Sequence, residues 1–140
     1  MGRVRLRAAE ESDMSSIRTY IERFQLDVEN ISFEQFIVAE KGSSIVGFGR
    51  IKHYESCYEL ACLGVLEPYR NQEIGAAIVK KLMEVFPDNE IWITTDIPKY
   101  FERFGFELAK DAPQEIKDKI KGVCHAKHHP DAVIMSLRKS

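Results

Sequence analysis

The sequence predicts a mixed α/β layer fold, several strands covered by helices, on three observations. Arg3 to Ala8 alternates charged and apolar residues at period two, and helical spacing through Ile17, Ile21 and Phe24 follows at once. Three apolar runs then come in succession, the first two joined by a Gly-Ser turn and the third stopped at Pro68. From Gln72 to Phe86, Ile74, Ile78, Leu82 and Val85 recur at helical spacing, with Lys80, Lys81 and Glu84 on the other side.

The elements follow in order. After the opening strand, Ser12 or Asp13 offers an N-cap for the first helix. FIVAE, KGSS and IVGFGRIKHY read as two strands and their turn, and YELACLGVLEP is a third strand, so this part predicts an antiparallel meander. The strong helix of Gln72 to Phe86 stops before Pro87. EIWITT, Glu90 to Thr95, is β-branched and aromatic and predicts a strand. A short helix through Tyr100 and Phe104 ends at Gly105. FELAK predicts a strand, PQEIKDKIKG a polar helix, and DAVIMSL a terminal strand that closes the sheet.

Length and charge narrow the function. The 140 residues suit one compact domain, 1–140, whose core needs no disulfide support. Twenty basic against twenty-two acidic residues give a charge of −2, without the positive surplus that nucleic-acid binding draws on, so a small or locally charged partner fits better. The longest apolar runs hold about six residues against the ~20 that span a bilayer, and no apolar export region follows the basic start, so no membrane role is expected. Cys57, Cys62 and Cys124 form no C-x-x-C pair and are odd in number, which points to a reducing, cytoplasmic compartment.

The informative junction is ELACLGVLEPYRNQEIGAAIV, where an apolar strand runs through a proline-marked turn into the strongest helix. The first N–H groups of a helix lack internal acceptors and together carry roughly half a positive charge, so a phosphate placed there gains several hydrogen bonds. Arg70 adds a bidentate partner, and Gly75, Ala76 and Ala77 keep the first turn free of bulk. A plainer reading stands beside this one: Asn71 as an ordinary N-cap, Glu73 as an ordinary first-turn acid, and small residues that let the helix pack on the sheet. Neither a P-loop nor a G-x-G-x-x-G turn is present.

With Arg70, Ile74, Gly75 and Ala76, the junction resembles the acetyl-CoA motif R/Q-x-x-G-x-G/A of the GCN5-related N-acetyltransferases, the GNAT family. RLRAAEESD, FIVAEKGSSIVGFGRI and the aromatic helix of YFERFGFE extend the resemblance over nearly the whole chain. ELACLGV and HHPDAVIMSL are most similar to the acetyltransferase domain of N-acetylglutamate synthases and to small stand-alone relatives. The resemblance implies a mixed, mostly antiparallel seven-stranded sheet flanked by helices. Its two central parallel strands, Glu59 to Leu66 and Glu90 to Thr95 here, would splay apart at a bulge. Acetyl-CoA would be the co-substrate. Its pantetheine arm would pair with backbone near Leu63, Gly64 and Val65, and its pyrophosphate would lie on the amides of Gln72 to Ala77, with Arg70, Asn71, Gln72, Glu73, Ile74, Gly75, Ala76, Phe101 and Phe104 as the further coenzyme-binding residues. The expected activity is direct acetyl transfer to a primary amine, with an amino acid such as glutamate as the leading acceptor. The resemblance leaves a homodimer open.

Amide formation requires a neutral amine, so a base must take a proton. Glu59 is the candidate: it is the only charged side chain in the run from Tyr58 to Leu66, and partial burial there would tune it to the working pH. Read from its residue type alone, Glu59 suits a cross-strand ion pair instead. The resemblance favours the base, because histone-type members carry theirs in a similar E-x-A-x-L-x-V strand. Two departures stand out: Glu73 where the family usually has glycine, and Phe101 where many members have a catalytic tyrosine. Protonation of the leaving thiolate then falls to Tyr100, to water, or to nothing. The same departures motivate the alternative of a non-catalytic acyl-CoA-binding or interaction domain. Arg18, Arg23, Lys52 and Arg103 are equal candidates for an acceptor carboxylate. Cys124, His125, His128 and His129 read as a polar loop rather than a metal site, and Cys62 as core packing.

Overall fold

A computed structural model describes residues 3–70, 72–122 and 129–139. The element order is β1 (Val4–Ala8), α1 (Met14–Arg23), β2 (Phe36–Lys41), β3 (Ser44–His53), β4 (Tyr58–Val65), α2 (Ile74–Val85), β5 (Glu90–Thr95), α3 (Pro98–Glu102), β6 (Glu107–Leu108), α4 (Gln114–Lys119) and β7 (Val133–Arg138), with short 3-10 turns before α1, before β2 and after β4. Seven strands form one sheet in the order β1-β2-β3-β4-β5-β7-β6. β1 and β2, β2 and β3, β5 and β7, and β6 and β7 pair antiparallel, while β4 and β5 pair parallel at Glu59↔Trp92. The mixed seven-stranded architecture is therefore the one expected. Among the described residues no helix is long and apolar enough to cross a membrane.

The chain divides into two compact units, residues 1–52 with 61–85 and residues 53–60 with 86–140. In the first, α1 buries Met14, Ile17 and Ile21 against Phe36, Val38, Phe48 and Ala61. The turn Gly42–Ser43 joins β2 to β3 with Gly42 at φ 63°, as a two-residue hairpin wants. α2 buries Ile74, Ala76, Ile78, Val79 and Leu82. A Cβ on Gly49 would lie 2.5 Å from Leu82 Cδ1 and 2.7 Å from Ile78 Cγ2, so this glycine is what lets α2 lie close on β3. Arg7 on β1 joins β2 to the α1 entry: it bonds both oxygens of Asp13 (2.8 and 3.0 Å) and Oε2 of Glu40.

Two cations are buried in this unit, which the alternation of β3 does not anticipate. Arg50 is fully buried and donates to Gln35 Oε1 (2.7 Å) and to the carbonyls of Glu29 (2.6 Å) and Asp27 (3.4 Å). Lys52 lies 2.6 Å from Asp27 Oδ2 and 3.2 Å from Glu29 Oε1. Two residues apart on β3, they share a face and fasten the segment between α1 and β2 across it.

In the second unit, β5 and β7 pair over six residues, Glu90↔Arg138 to Thr95↔Val133. Ile116 of α4 packs with Cys57 and Trp92. FELAK contributes only the two-residue β6, and α3 ends at Glu102, with Gly105 at φ 100° making the turn.

Gly49→Ala should destabilise the fold by about 1–3 kcal/mol, because Ile78 Cγ2 sits at a branch point that cannot swing aside; denaturant unfolding measures it. The Arg7 guanidinium holds the Asp13 carboxyl below its ordinary range despite burial. A carboxyl depressed in this way stabilises fully above about pH 4 and loses that contribution as pH falls through its folded value. The stability gap between the wild type and Asp13→Asn should therefore close on acidification, read as converging denaturation midpoints.

Candidate active site

The strand-to-helix turn lies in the first unit. After Pro68 the chain makes a 3-10 turn, and Arg70 folds back so that its Nε donates to the Val65 carbonyl (2.9 Å) and its guanidinium lies 5.4 Å from the Phe24 ring centroid. Val65 thus presents a carbonyl already bonded by Arg70. The helix starts at Ile74 and not at Gln72. The reason is Glu73, whose φ of 61° is left-handed and outside the helical region assumed for it from the sequence. The Glu73 carbonyl accepts from Ala77 N–H (3.1 Å), so Ala77 is committed to the helix and the amides of Ile74, Gly75 and Ala76 open the first turn without an intrahelical acceptor. Gln72 and Glu73 are exposed, and Asn71 lies outside the described residues.

β4 carries a left-handed residue in mid-strand, Cys62 at φ 53°, the kind of kink a bulge produces. Its thiol donates to the Asp27 carbonyl (3.1 Å), which fits a packing role. At Gly64 a Cβ would meet Phe48 Cζ at 2.7 Å and Phe24 Cδ2 at 3.1 Å, so two aromatic rings press on the backbone between Leu63 and Val65.

In the second unit Glu59 is fully buried, deeper than the partial burial expected. Tyr54 Oη donates to its Oε1 (2.7 Å), while Thr94 Oγ1 (2.8 Å) and Lys119 Nζ (2.6 Å) donate to its Oε2. Lys119 also donates to Thr94 Oγ1 at 2.8 Å. Thr94 reaches this cluster because β5 pairs with β4 at Glu59↔Trp92, and Lys119 because α4 ends there. Tyr54, Thr94 and Lys119 were not anticipated. Lys119 is 60 residues from Glu59, and only its i, i+4 relation to Glu115 on a polar helix was visible beforehand.

The aromatic fingerprint forms a separate cluster. The Tyr100 centroid lies 5.1 Å from Phe101 and 5.5 Å from Phe104, and Arg103 stacks over Tyr100 at 5.4 Å and over Phe104 at 5.2 Å. Phe101 is core, packed edge-on against Phe106. Of the four acceptor-carboxylate candidates, Lys52 is already bound to two carboxylates, Arg103 lies on two rings and Arg23 lies 5.9 Å from the Phe24 centroid, while Arg18 is an exposed residue of α1. His129 Nδ1 sits 2.9 Å from Asp96 Oδ2 just past β5. Cys124, His125 and His128 lie outside the described residues, among which no metal-binding cluster occurs. Burial pushes the Cys57 thiol up to about 11, with Glu115 adding to the effect, so it is a poor nucleophile at neutral pH. A cavity of about 500 Å³ lined by Cys57, Glu90, Trp92, Arg138 and Lys139, among others, opens toward the Glu90 end of β5 and does not include Glu59.

Comparison with known proteins gives a consistent picture. Residues 32–108 match the acetyltransferase (GNAT) domain family. An uncharacterized N-acetyltransferase of Chlorobaculum tepidum is 34% identical over 97 residues, 64% of this chain and 63% of that protein, so the match spans less than two thirds of the relative's length. Among solved structures, N-acetylglutamate synthase from Neisseria gonorrhoeae, complexed with coenzyme A and N-acetyl-glutamate, superposes with a TM-score of 0.78 at 16% identity, over 100% of this chain and 36% of the synthase. Rv2747 from Mycobacterium tuberculosis, in complex with CoA, gives a TM-score of 0.78 at 21% identity over 97% of this chain and 99% of that one. At these identities the structural likeness establishes the fold.

The left-handed backbone at Glu73 suits glycine. Glu73→Gly should raise stability by about 1 kcal/mol in denaturant unfolding, whereas Glu73→Ala, which keeps a Cβ, should not.

Proposed function

The chain belongs to the GNAT acetyltransferase family, and from that premise we propose that residues 1–140 act as one catalytic domain transferring acetyl from acetyl-CoA directly to a small primary amine. The observation that carries this reading is Glu59, a fully buried carboxylate on β4 held by donors from three other segments, at the position the resemblance gives to the base.

The chain's residues divide the work as follows. The amides of Ile74, Gly75 and Ala76, with the small side chains of the latter two, suit a diphosphate, and Arg70, four residues before Ile74, is the cation proposed to pair with it. Glu73 places a carboxylate nearby, but its exposure lets the side chain point into water while the backbone donates. Leu63 and Gly64 are the backbone for the pantetheine arm. The thioester supplies an activated carbonyl: the amine nitrogen bonds to the acetyl carbon, the C–S bond breaks, and the thiolate takes up one proton while the nitrogen sheds one to solvent as the amide forms. Glu59 accepts the proton that the ammonium must lose before attack, directly or through a water. Tyr100 is the proposed donor to the thiolate, since Phe101 has no proton to give and is buried. For the acceptor we propose an amino acid, glutamate first, supported by the likeness to a protein crystallised with N-acetyl-glutamate. The odd number of cysteines and the lack of a C-x-x-C pair support a reducing, cytoplasmic setting.

A second reading, a non-catalytic acyl-CoA-binding domain, is favoured by the complete burial of Glu59 and by the acid at Glu73. Turnover separates the two. With acetyl-CoA and a panel of amino acids, polyamines and peptides, the wild type should consume the thioester. Glu59→Gln should lose about a hundredfold in kcat while calorimetry finds CoA binding unchanged. CoA binding without turnover across the panel favours the second reading.

A further inference from the structure

Glu59 does not present two equivalent oxygens. Oε2 accepts from both Lys119 Nζ (2.6 Å) and Thr94 Oγ1 (2.8 Å), whereas among the described residues Oε1 accepts only from Tyr54 Oη (2.7 Å). A carboxylate oxygen has two lone-pair sites, so Oε2 is filled and Oε1 keeps one. Lys119 is the cation in direct contact, its side chain 8% exposed against 0% for Glu59, and the Thr94 hydroxyl completes a closed triangle with both.

Lys119 is not left to find this position by itself. Glu115, one turn earlier on the same face of α4, accepts from the backbone N–H of Glu55 (2.9 Å) and Ser56 (3.1 Å) and from the Ser56 hydroxyl. The hydrogen bond from Ser56 holds the Glu115 carboxyl below its ordinary range. The helix is thus docked at Glu115 onto the turn that leads into β4 and at Lys119 onto Glu59 within β4.

We propose that Lys119 is a positioning residue for the acetyl transfer: together with Thr94 it occupies Oε2, so that Oε1 is the oxygen that takes the amine proton. This rests on the reading of Glu59 as the base. The groups facing Glu59 are Tyr54 from the preceding turn, Thr94 from β5 and Lys119 from α4, with Cys57 near enough to interact electrostatically. Of these only Lys119 is positive. An ammonium in contact favours the ionised form of a carboxyl, so its removal makes the carboxyl take up a proton more readily.

The test has two arms that need no knowledge of the acceptor, and a third that does. In the first, the Glu59 side-chain carbon is followed by isotope-edited NMR during a pH titration. The curve should move in Lys119→Met relative to wild type, and coincident curves overturn the proposal. In the second, which reads the unsubstituted protein and so survives a Lys119→Met that does not fold, lysines are methylated and mapped by mass spectrometry. Lys119 should react at least about tenfold more slowly than exposed Lys80 and lose that protection in Glu59→Gln, and equal rates in the wild type overturn the proposal. In the third, with an acceptor in hand, Lys119→Met should move the acid limb of the kcat profile upward while the KM for acetyl-CoA stays within about twofold. An unmoved limb overturns the proposal. A wild type that turns over no amine, yet passes the first two arms, defeats the transferase reading and leaves Lys119 as the counter-ion of Glu59.

Discussion

A buried carboxylate has to be met by donors or give up its charge, and at Glu59 this requirement organises the second unit. One side chain on β4 draws in the hydroxyl of the preceding turn, the hydroxyl of the neighbouring parallel strand and the ammonium at the end of a helix 60 residues further on. Each of those partners fixes an element: Tyr54 the turn, Thr94 the register of β5 against β4, Lys119 the seating of α4. Ile116 packs from the same helix against Cys57 and Trp92, so apolar burial and the polar cluster place α4 in the same position. Removing either member of the Lys119–Glu59 pair would strand a charge in the interior.

The first unit uses the same physics with the signs reversed. Arg50 and Lys52 are the buried charges there, and the carbonyls of Asp27 and Glu29 with the carboxylate of Asp27 come to meet them. The segment between α1 and β2 has little regular structure of its own and is shaped by those bonds. Lys52 is consequently committed to holding this segment. The turn that leads into α2 depends on a different constraint, the left-handed backbone at Glu73, which delays the helix by two residues and sets which amides are left without an intrahelical acceptor.

What the sequence determined by itself was local. Alternation, helical spacing and the glycine and proline stops placed all seven strands and the principal helices, because each signal is carried by residues within one or two turns of chain. Family membership, matched over residues 32–108, was legible for a similar reason: the turn from Arg70 to Ala76 and the aromatic helix are contiguous motifs. The prominence of Glu59 was legible too, as a charge set in an apolar run. Tertiary structure alone decided the rest. Lys119 became the partner of Glu59 only when α4 was seated, and nothing in a polar helix states which distant charge it will face. Arg50 and Lys52 went inward although strand charges usually face water, since the loop that satisfies them is remote in sequence. Backbone strain at Glu73 and Cys62 likewise comes from what surrounds those residues and not from their type. Short-range preferences are written in neighbouring residues. The pairing of buried charges is fixed only when separate segments meet, because its energy exists only once water has been excluded.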